Sequence, residues 1–171
     1  MDLSPFVLRF TLNAERIRAL ASGASPEEAR WKLSETAWSL LEVMGHLLDE
    51  EREDFRRRLD YLLHRPGETW PPIDPEGWVT ARGYNLRDPQ ATLDAFLEER
   101  RGSITWLRTL PAAQEWDRVY PDPRFRGIRA GDLLASWLAH DYLHMRQMVR
   151  IHLLRGEALS QPYATFYAGS W

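Results

Sequence analysis

The chain has 171 residues, 44% of them apolar, and a formal net charge of −3, so one domain over residues 1–171 with a sizeable core is expected. The slightly acidic balance argues against general nucleic-acid binding, which favours a basic face. Because the sequence has no cysteine, disulfides, thiolate metal sites and cysteine nucleophiles are excluded, and any metal must be bound by nitrogen or oxygen.

The N-terminal segment lacks a basic start followed by an apolar run, so no signal peptide is indicated. No apolar stretch approaches membrane-spanning length, and we therefore expect a cytoplasmic protein without a membrane partner.

The first helix is predicted to begin at Ser4-Pro5, with Ser4 as N-cap, and to end at Gly23. Ser25 and Glu28 form a capping box around a proline, which predicts a short second helix.

The second long helix is predicted to begin after Ser39, because Ser39 and Glu42 form a capping box. It should run to about His64, before Pro66-Gly67. Three polar residues on this helix are spaced by four and should project on one side: Glu42, His46 and Glu50.

The segment from residue 65 to residue 88 contains four prolines and three glycines and shows no helical period. Its aromatic and apolar residues favour packing over disorder, so we expect an ordered loop folded over one end of the domain. Trp78, Arg82 and Tyr84 could close over a metal and hold an anionic group. Core packing of the two aromatic residues is the favoured interpretation.

The third long helix is predicted to start at Asp88-Pro89 and to stop before Pro111. The fourth should start near Ala130 and end at Gly156, interpreted as a C-terminal cap. No stretch predicts a strand with any clarity. Four long amphipathic helices predict an all-α four-helix bundle, with a long ordered loop between the second and third long helices that allows a crossover connection.

Two arginine clusters, Arg56–Arg58 and Arg100–Arg101, lie among acidic residues. We interpret both as solvated helix faces. The tail from Pro162 to Trp171 is aromatic and has no helical period, and we expect it to pack on its own domain or on a second subunit.

Two of the five histidines, His140 and His144, lie four residues apart in a helical run and should share one face. Such a pair can bind one metal ion, although the same spacing also arises by accident. His64 lies at a helix end, where a structural role is favoured. His152 lies off the face of the pair and is a poor ligand candidate.

His46 is the candidate for a third ligand, because it lies on another long helix in a gap of the apolar face. Two ligands from one helix and one from another suit a metal site in a bundle core. Three imidazoles with open coordination positions match a catalytic site of the zinc type. From these residues alone, metal binding and a purely structural role are about equally supported.

The segments Trp38–Leu47 (WSLLEVMGHL) and His140–Gln147 (HDYLHMRQ) together resemble the DinB-like superfamily of damage-inducible four-helix proteins. The resemblance covers nearly the whole chain, including the helix order and the proline-rich loop. It implies a four-helix bundle, often dimeric, in which three histidines hold a divalent metal ion. Matched residue by residue, these ligands are His46, His140 and His144.

Glu50 and Gln147 are the candidate catalytic residues. Glu50 lies one helical turn after His46 and can orient that imidazole or serve as general base. Glu42 could do the same, but the capping box already gives it a structural role. Gln147 returns to the face of the histidine pair and can donate to a water on the metal, or it can simply be a polar residue beside the site.

The resemblance implies a metal-dependent enzyme of thiol S-transferase or hydrolase type that acts on a small molecule, such as a low-molecular-weight thiol. The alternative is a non-catalytic metal-binding protein of stress response or interaction. Zn²⁺ or Ni²⁺ is the expected ion, with Fe²⁺ and Mn²⁺ as further candidates, since imidazole accepts all four. A homodimer is expected.

Overall fold

The computed structural model describes residues 1–111 and 113–169, and its regular structure in these ranges is helical. An isolated β-bridge joins Val119 and Arg129. The α-helices are α1 (Ser4–Ala21), α2 (Pro26–Arg30), α3 (Leu40–Glu53), α4 (Phe55–His64), α5 (Pro75–Ala81), α6 (Pro89–Thr109) and α7 (Ala130–Leu159). None of the helices in these ranges is long and apolar enough to cross a membrane.

Four long rods form the bundle. Helices α1, α6 and α7 are three of them, and α3 and α4 together make the fourth. α1 packs against α6 and α7, and the α3–α4 rod packs against the same two helices. α1 therefore lies diagonally opposite the α3–α4 rod, and α6 lies diagonally opposite α7. The predicted all-α four-helix bundle is confirmed, and its order departs from simple up-and-down neighbours.

Most helix starts follow the predicted capping chemistry. The capping boxes of Ser25 with Glu28 and of Ser39 with Glu42 both form, and the Asp88 side chain caps α6. The prediction of Ser4 as N-cap was wrong, because Ser4 is already helical. Its backbone N–H donates to Asp2 Oδ1 at 2.8 Å, so a carboxylate two residues upstream supplies the cap.

Two predicted helix boundaries were wrong. The second long helix is interrupted at Asp54, whose backbone (φ −112°, ψ −93°) leaves the helical region and separates α3 from α4. A salt bridge from the Asp54 carboxylate to Arg58 at 2.9 Å accompanies this break.

At the other end of the chain, α7 passes through Gly156 and ends at Leu159. A glycine costs a helix interior only about 1 kcal/mol, so it need not act as a cap.

The segment after α4 is ordered, as predicted, but it contains a helix that the sequence did not reveal. The Asp74 side chain accepts a hydrogen bond from Gly77 N and caps α5. The segment then packs along α3, where the buried ring of Tyr84 lies against Gly45. A Cβ atom at Gly45 would lie 2.6 Å from Tyr84 Cγ, so only glycine permits this contact.

The aromatic tail does not pack on its own domain over the described part. The side chains of Tyr163, Phe166 and Tyr167 are 78%, 82% and 96% exposed. The end of the tail, residues 170 and 171, lies outside the described residues. Packing of this tail on a second subunit stays a prediction.

A buried polar layer divides the apolar core into two clusters. One cluster surrounds Phe10, Phe55 and Trp137, and the other surrounds Ile17 and Met148. Between them lies one polar residue from each rod of the bundle: Asn13, Glu51, Arg100 and Asp141.

Arg100 is the centre of this layer. Its guanidinium donates to both carboxylate oxygens of Glu51 at 2.9 Å and to both of Asp141 at 2.7 Å. Asn13 Nδ2 donates to Asp141, and Trp137 Nε1 donates to Glu51. The prediction that Arg100 belongs to a solvated face was therefore wrong, since its side chain is only 1% exposed. A charge on a helix is buried when its partners come from other helices, which local sequence does not display.

Replacing Arg100 by methionine should lower the free energy of unfolding by about 3–5 kcal/mol, because two buried carboxylates lose their counter-charge. Urea unfolding followed by circular dichroism measures this change. The matched control is Arg101→Met, since that neighbouring side chain is 70% exposed. It should change stability by less than about 0.5 kcal/mol. Equal effects of the two substitutions would contradict a buried ionic layer.

Candidate metal centre

Three histidine side chains converge where α3 packs against α7. His140 and His144 stand one turn apart on α7, and His46 faces them from α3. His140 Nε2 lies 3.2 Å from His46 Nε2 and 3.1 Å from His144 Nε2. Each residue has a ligand nitrogen within 4.8 Å of the others, and no further histidine, aspartate or glutamate of the described residues joins the group.

The spacing of these nitrogens fits a single metal ion. Nitrogen ligands about 2.1 Å from one ion lie about 3.4 Å apart in a tetrahedral arrangement. The observed separations of 3.1 and 3.2 Å differ from this by a few tenths of an ångström. A set of three imidazoles without thiolate or carboxylate suits zinc, nickel and iron and leaves coordination positions open.

The environment keeps the three imidazoles uncharged, which is the form that binds a metal. Burial, together with the neighbouring His144, lowers the pKa of His46 to about 3. Burial, the other two histidines and Arg100 lower the pKa of His140 to about 2. Burial also lowers the pKa of His144. At neutral pH each ring therefore retains a nitrogen lone pair.

Gln147 fixes the orientation of one of these rings. Its Oε1 lies 2.8 Å from His144 Nδ1 and accepts that N–H, which leaves His144 Nε2 as the nitrogen with a lone pair. Such outer contacts set the tautomer of metal-ligating histidines in proteins. Nδ1 of His46, in contrast, is buried and has no hydrogen-bond partner among the described residues.

Aromatic rings cover the group on two sides. Trp38 lies parallel to His144 with centroids 6.4 Å apart, and its ring is 5.0 Å from that of His46. Phe55 lies 4.9 Å from His140. Trp38 was not among the site residues predicted from the sequence, where it only begins the segment that resembles the DinB-like superfamily. The sequence feature that could have indicated Trp38 is its position directly before the capping box of the helix that carries His46.

Glu50 is buried one turn after His46, but it is not part of the converging group. Its Oε1 has no hydrogen-bond partner among the described residues. Burial, with the negative charge of Asp54 as a second cause, raises the pKa of Glu50 to about 9. The carboxyl group therefore holds a proton at neutral pH when no metal is nearby.

The three residues that could close over a metal, Trp78, Arg82 and Tyr84, form contacts elsewhere. Arg82 Nη1 donates to Asp49 at 2.8 Å and to Glu53 at 2.5 Å, and its guanidinium stacks on Trp78. The Tyr84 hydroxyl donates to Asp49 at 2.6 Å. Because carboxylates of its own chain engage Arg82, the packing alternative describes this segment better than a role in binding an anionic group.

The remaining candidates serve structural contacts. Glu42 completes its capping box and pairs with Lys32 at 3.0 Å. His64 lies 2.9 Å from Asp60 near the end of α4, and His152 Nε2 donates to the carbonyl oxygen of Leu20 at 2.7 Å. Neither histidine joins the converging group, in agreement with the sequence-based expectation.

Comparisons with known proteins agree with this architecture. A search of curated proteins gives no match. Among solved structures, the fold is similar to YfiT from Bacillus subtilis, described as a probable metal-dependent hydrolase with an unusual four-helix bundle topology. The two chains are 16% identical, with a TM-score of 0.77, and the match covers 89% of this chain and 86% of YfiT. Residues 9–148, which include all three converging histidines, match the model of the DinB superfamily, and the chain belongs to that family.

Proposed function

We propose that the protein is a divalent-metal-dependent enzyme that hydrolyses a small molecule. The observation that carries this proposal is the convergence of three uncharged imidazoles at 3.1–3.2 Å around His140 Nε2. The description of YfiT as a probable metal-dependent hydrolase supports the reaction class. Membership of the DinB superfamily supports the same choice of site.

His46, His140 and His144 would hold the ion, with Zn²⁺ or Ni²⁺ as the first candidates and Fe²⁺ or Mn²⁺ as further ones. A divalent ion on three neutral ligands supplies Lewis acidity, which polarises a carbonyl oxygen and acidifies water. Gln147 holds His144 in the tautomer that presents Nε2. In this proposal Gln147 is a positioning residue, rather than a donor to water.

Glu50 is assigned the proton transfer. It is a buried carboxyl one helical turn after His46, and its Oε1 is not engaged by any described residue. A divalent ion held by the histidines would favour the ionised form and lower the pKa of Glu50 toward the working range of a general base. In hydrolysis, water adds a hydroxyl group to the carbonyl carbon and a proton to the leaving group. Glu50 would carry that proton.

A thiol-dependent transfer is the second candidate reaction. Three neutral imidazoles leave the full charge of a divalent ion uncompensated, which favours an anionic ligand such as a thiolate. The same site would then activate a low-molecular-weight thiol for attack on an electrophilic carbon.

The expected homodimer and cytoplasmic location are retained as part of the proposal. Exposed apolar side chains on α1 and α7 could support self-association, among them Leu8, Leu12, Tyr142 and Leu143. Sedimentation equilibrium tests the dimer.

The wild-type protein should bind one divalent ion per chain, and His46→Ala should weaken that binding by at least about 100-fold, since a ligand is lost. Dialysis against Zn²⁺ or Ni²⁺ followed by metal analysis measures both quantities. The control is His64→Ala, which removes a histidine outside the group. Unchanged stoichiometry and affinity in His46→Ala would exclude the three-histidine site.

The metal-free protein should lose stability as the pH falls below about 6.5. The unfolded histidines bind protons there, whereas His46 and His140 stay neutral until about pH 3 and about pH 2 in the folded state. The unfolded state thus binds more protons, so the free energy of unfolding decreases on acidification.

Chemical denaturation of the metal-free protein between pH 7 and pH 4 measures this decrease. The variant with His46, His140 and His144 all replaced by glutamine should show a shallower decline. Identical slopes for the two proteins would show that these histidines are not buried in their neutral form.

Glu50→Gln should keep the metal and lower kcat by about 10²–10⁴-fold, because the variant lacks the proton carrier. Hydrolysis of simple ester and amide substrates by metal-loaded protein provides the assay, with chelation and metal return as controls. A parallel series with an added low-molecular-weight thiol separates transfer from hydrolysis. Full metal loading without turnover in either series would favour a non-catalytic metal-binding protein.

A further inference from the structure

A groove of about 540 Å³ opens beside the metal centre. His144 and Gln147 lie in its wall, so the groove reaches one member of the three-histidine group. Its volume lies within the range of sites for small molecules. The groove is therefore the natural place for the substrate of the proposed enzyme.

The remaining walls of the groove are mostly apolar. One side is formed by the segment between α2 and α3, which contributes Trp31, Leu33 and Trp38. The opposite side is formed by α7, which contributes Ile151 and Leu154. Two tryptophan rings offer flat surfaces on which a planar, apolar group can stack.

The permanent charge that lines the groove is positive. Arg150 is its single permanently charged lining residue, and none of the described lining residues carries a carboxylate. Arg150 is exposed and forms no ion pair within 4.0 Å with any residue that the structure describes. A ligand with one negative group would therefore gain a charge-assisted hydrogen bond without displacing an internal partner.

The positions of Arg150 and His144 define the length of this ligand. Arg150 lies six positions after His144 on α7, which corresponds to about 9 Å along the helix axis. We propose that the substrate is an apolar, aromatic monoanion whose reactive group lies at the metal and whose anionic group pairs with Arg150. This proposal rests on the proposed function for the reaction, whereas the groove and its charge are independent of any metal.

The test uses 2-naphthoate and its uncharged isostere 2-naphthamide as probes. Isothermal titration calorimetry with the full chain should show 2-naphthoate binding at least about tenfold more tightly than the amide. Arg150→Gln should abolish that preference and leave amide binding unchanged. The matched control is Arg146→Gln, an exposed arginine on the same helix that does not line the groove, and it should keep the preference.

Three results would overturn the proposal. The first is equal binding of the two probes by the wild type, and the second is an equal loss in Arg150→Gln and Arg146→Gln. The third is absence of probe binding together with a dimer that Leu33→Asp dissociates, which would identify the groove as an interface between copies. Leu33 is 58% exposed, so this substitution is compatible with folding.

Metal-loaded protein and protein treated with a chelator are titrated in parallel with both probes, and the metal content of each sample is measured. Arg150-dependent discrimination without metal binding would support the groove and reject the proposed enzyme. Metal binding without discrimination would reject the groove and leave the enzyme proposal intact.

Discussion

The buried pairing of Arg100 with Glu51 and Asp141 is the interaction on which the rest of the structure depends. It joins α3, α6 and α7 through charge-assisted hydrogen bonds of 2.7–2.9 Å, and Asn13 adds α1. Removing a charge from water is costly, so this layer tolerates only arrangements in which every partner is present. A bundle shifted by one turn would bury unpaired charge, and the layer thereby fixes the relative register of the rods.

The candidate metal centre depends on this register, because the three-histidine group and the ionic layer meet on α7. Asp141 faces the ionic layer, while His140 beside it and His144 one turn later face His46. The same helix thus presents one side to the core and another to the site, as the period of 3.6 residues allows. Arg100 also contributes to the depressed pKa of His140, so the layer acts on the site electrostatically as well as through geometry.

Sequence reasoning succeeded where the determinants are local. The capping boxes at Ser25 and Ser39 and the shared face of His140 and His144 involve residues within four positions of each other. The interruption at Asp54 and the burial of Arg100 depend on contacts with other segments, and neither was predicted. His46 is an intermediate case: its helix was predictable, but residues alone left its pairing with α7 undecided, and the family resemblance supplied the rest.

The order of the ligands along the chain has a consequence for how the protein matures. His46 and His140 are separated by 94 residues, and they meet only where α3 packs against α7. During synthesis, His46 leaves the ribosome long before its two partners exist. Until then, the nascent chain holds only one of the three imidazoles that converge in the folded protein. Binding of an ion by all three histidines would have to wait until α7 is made and docked, so metal loading would report that the bundle is assembled.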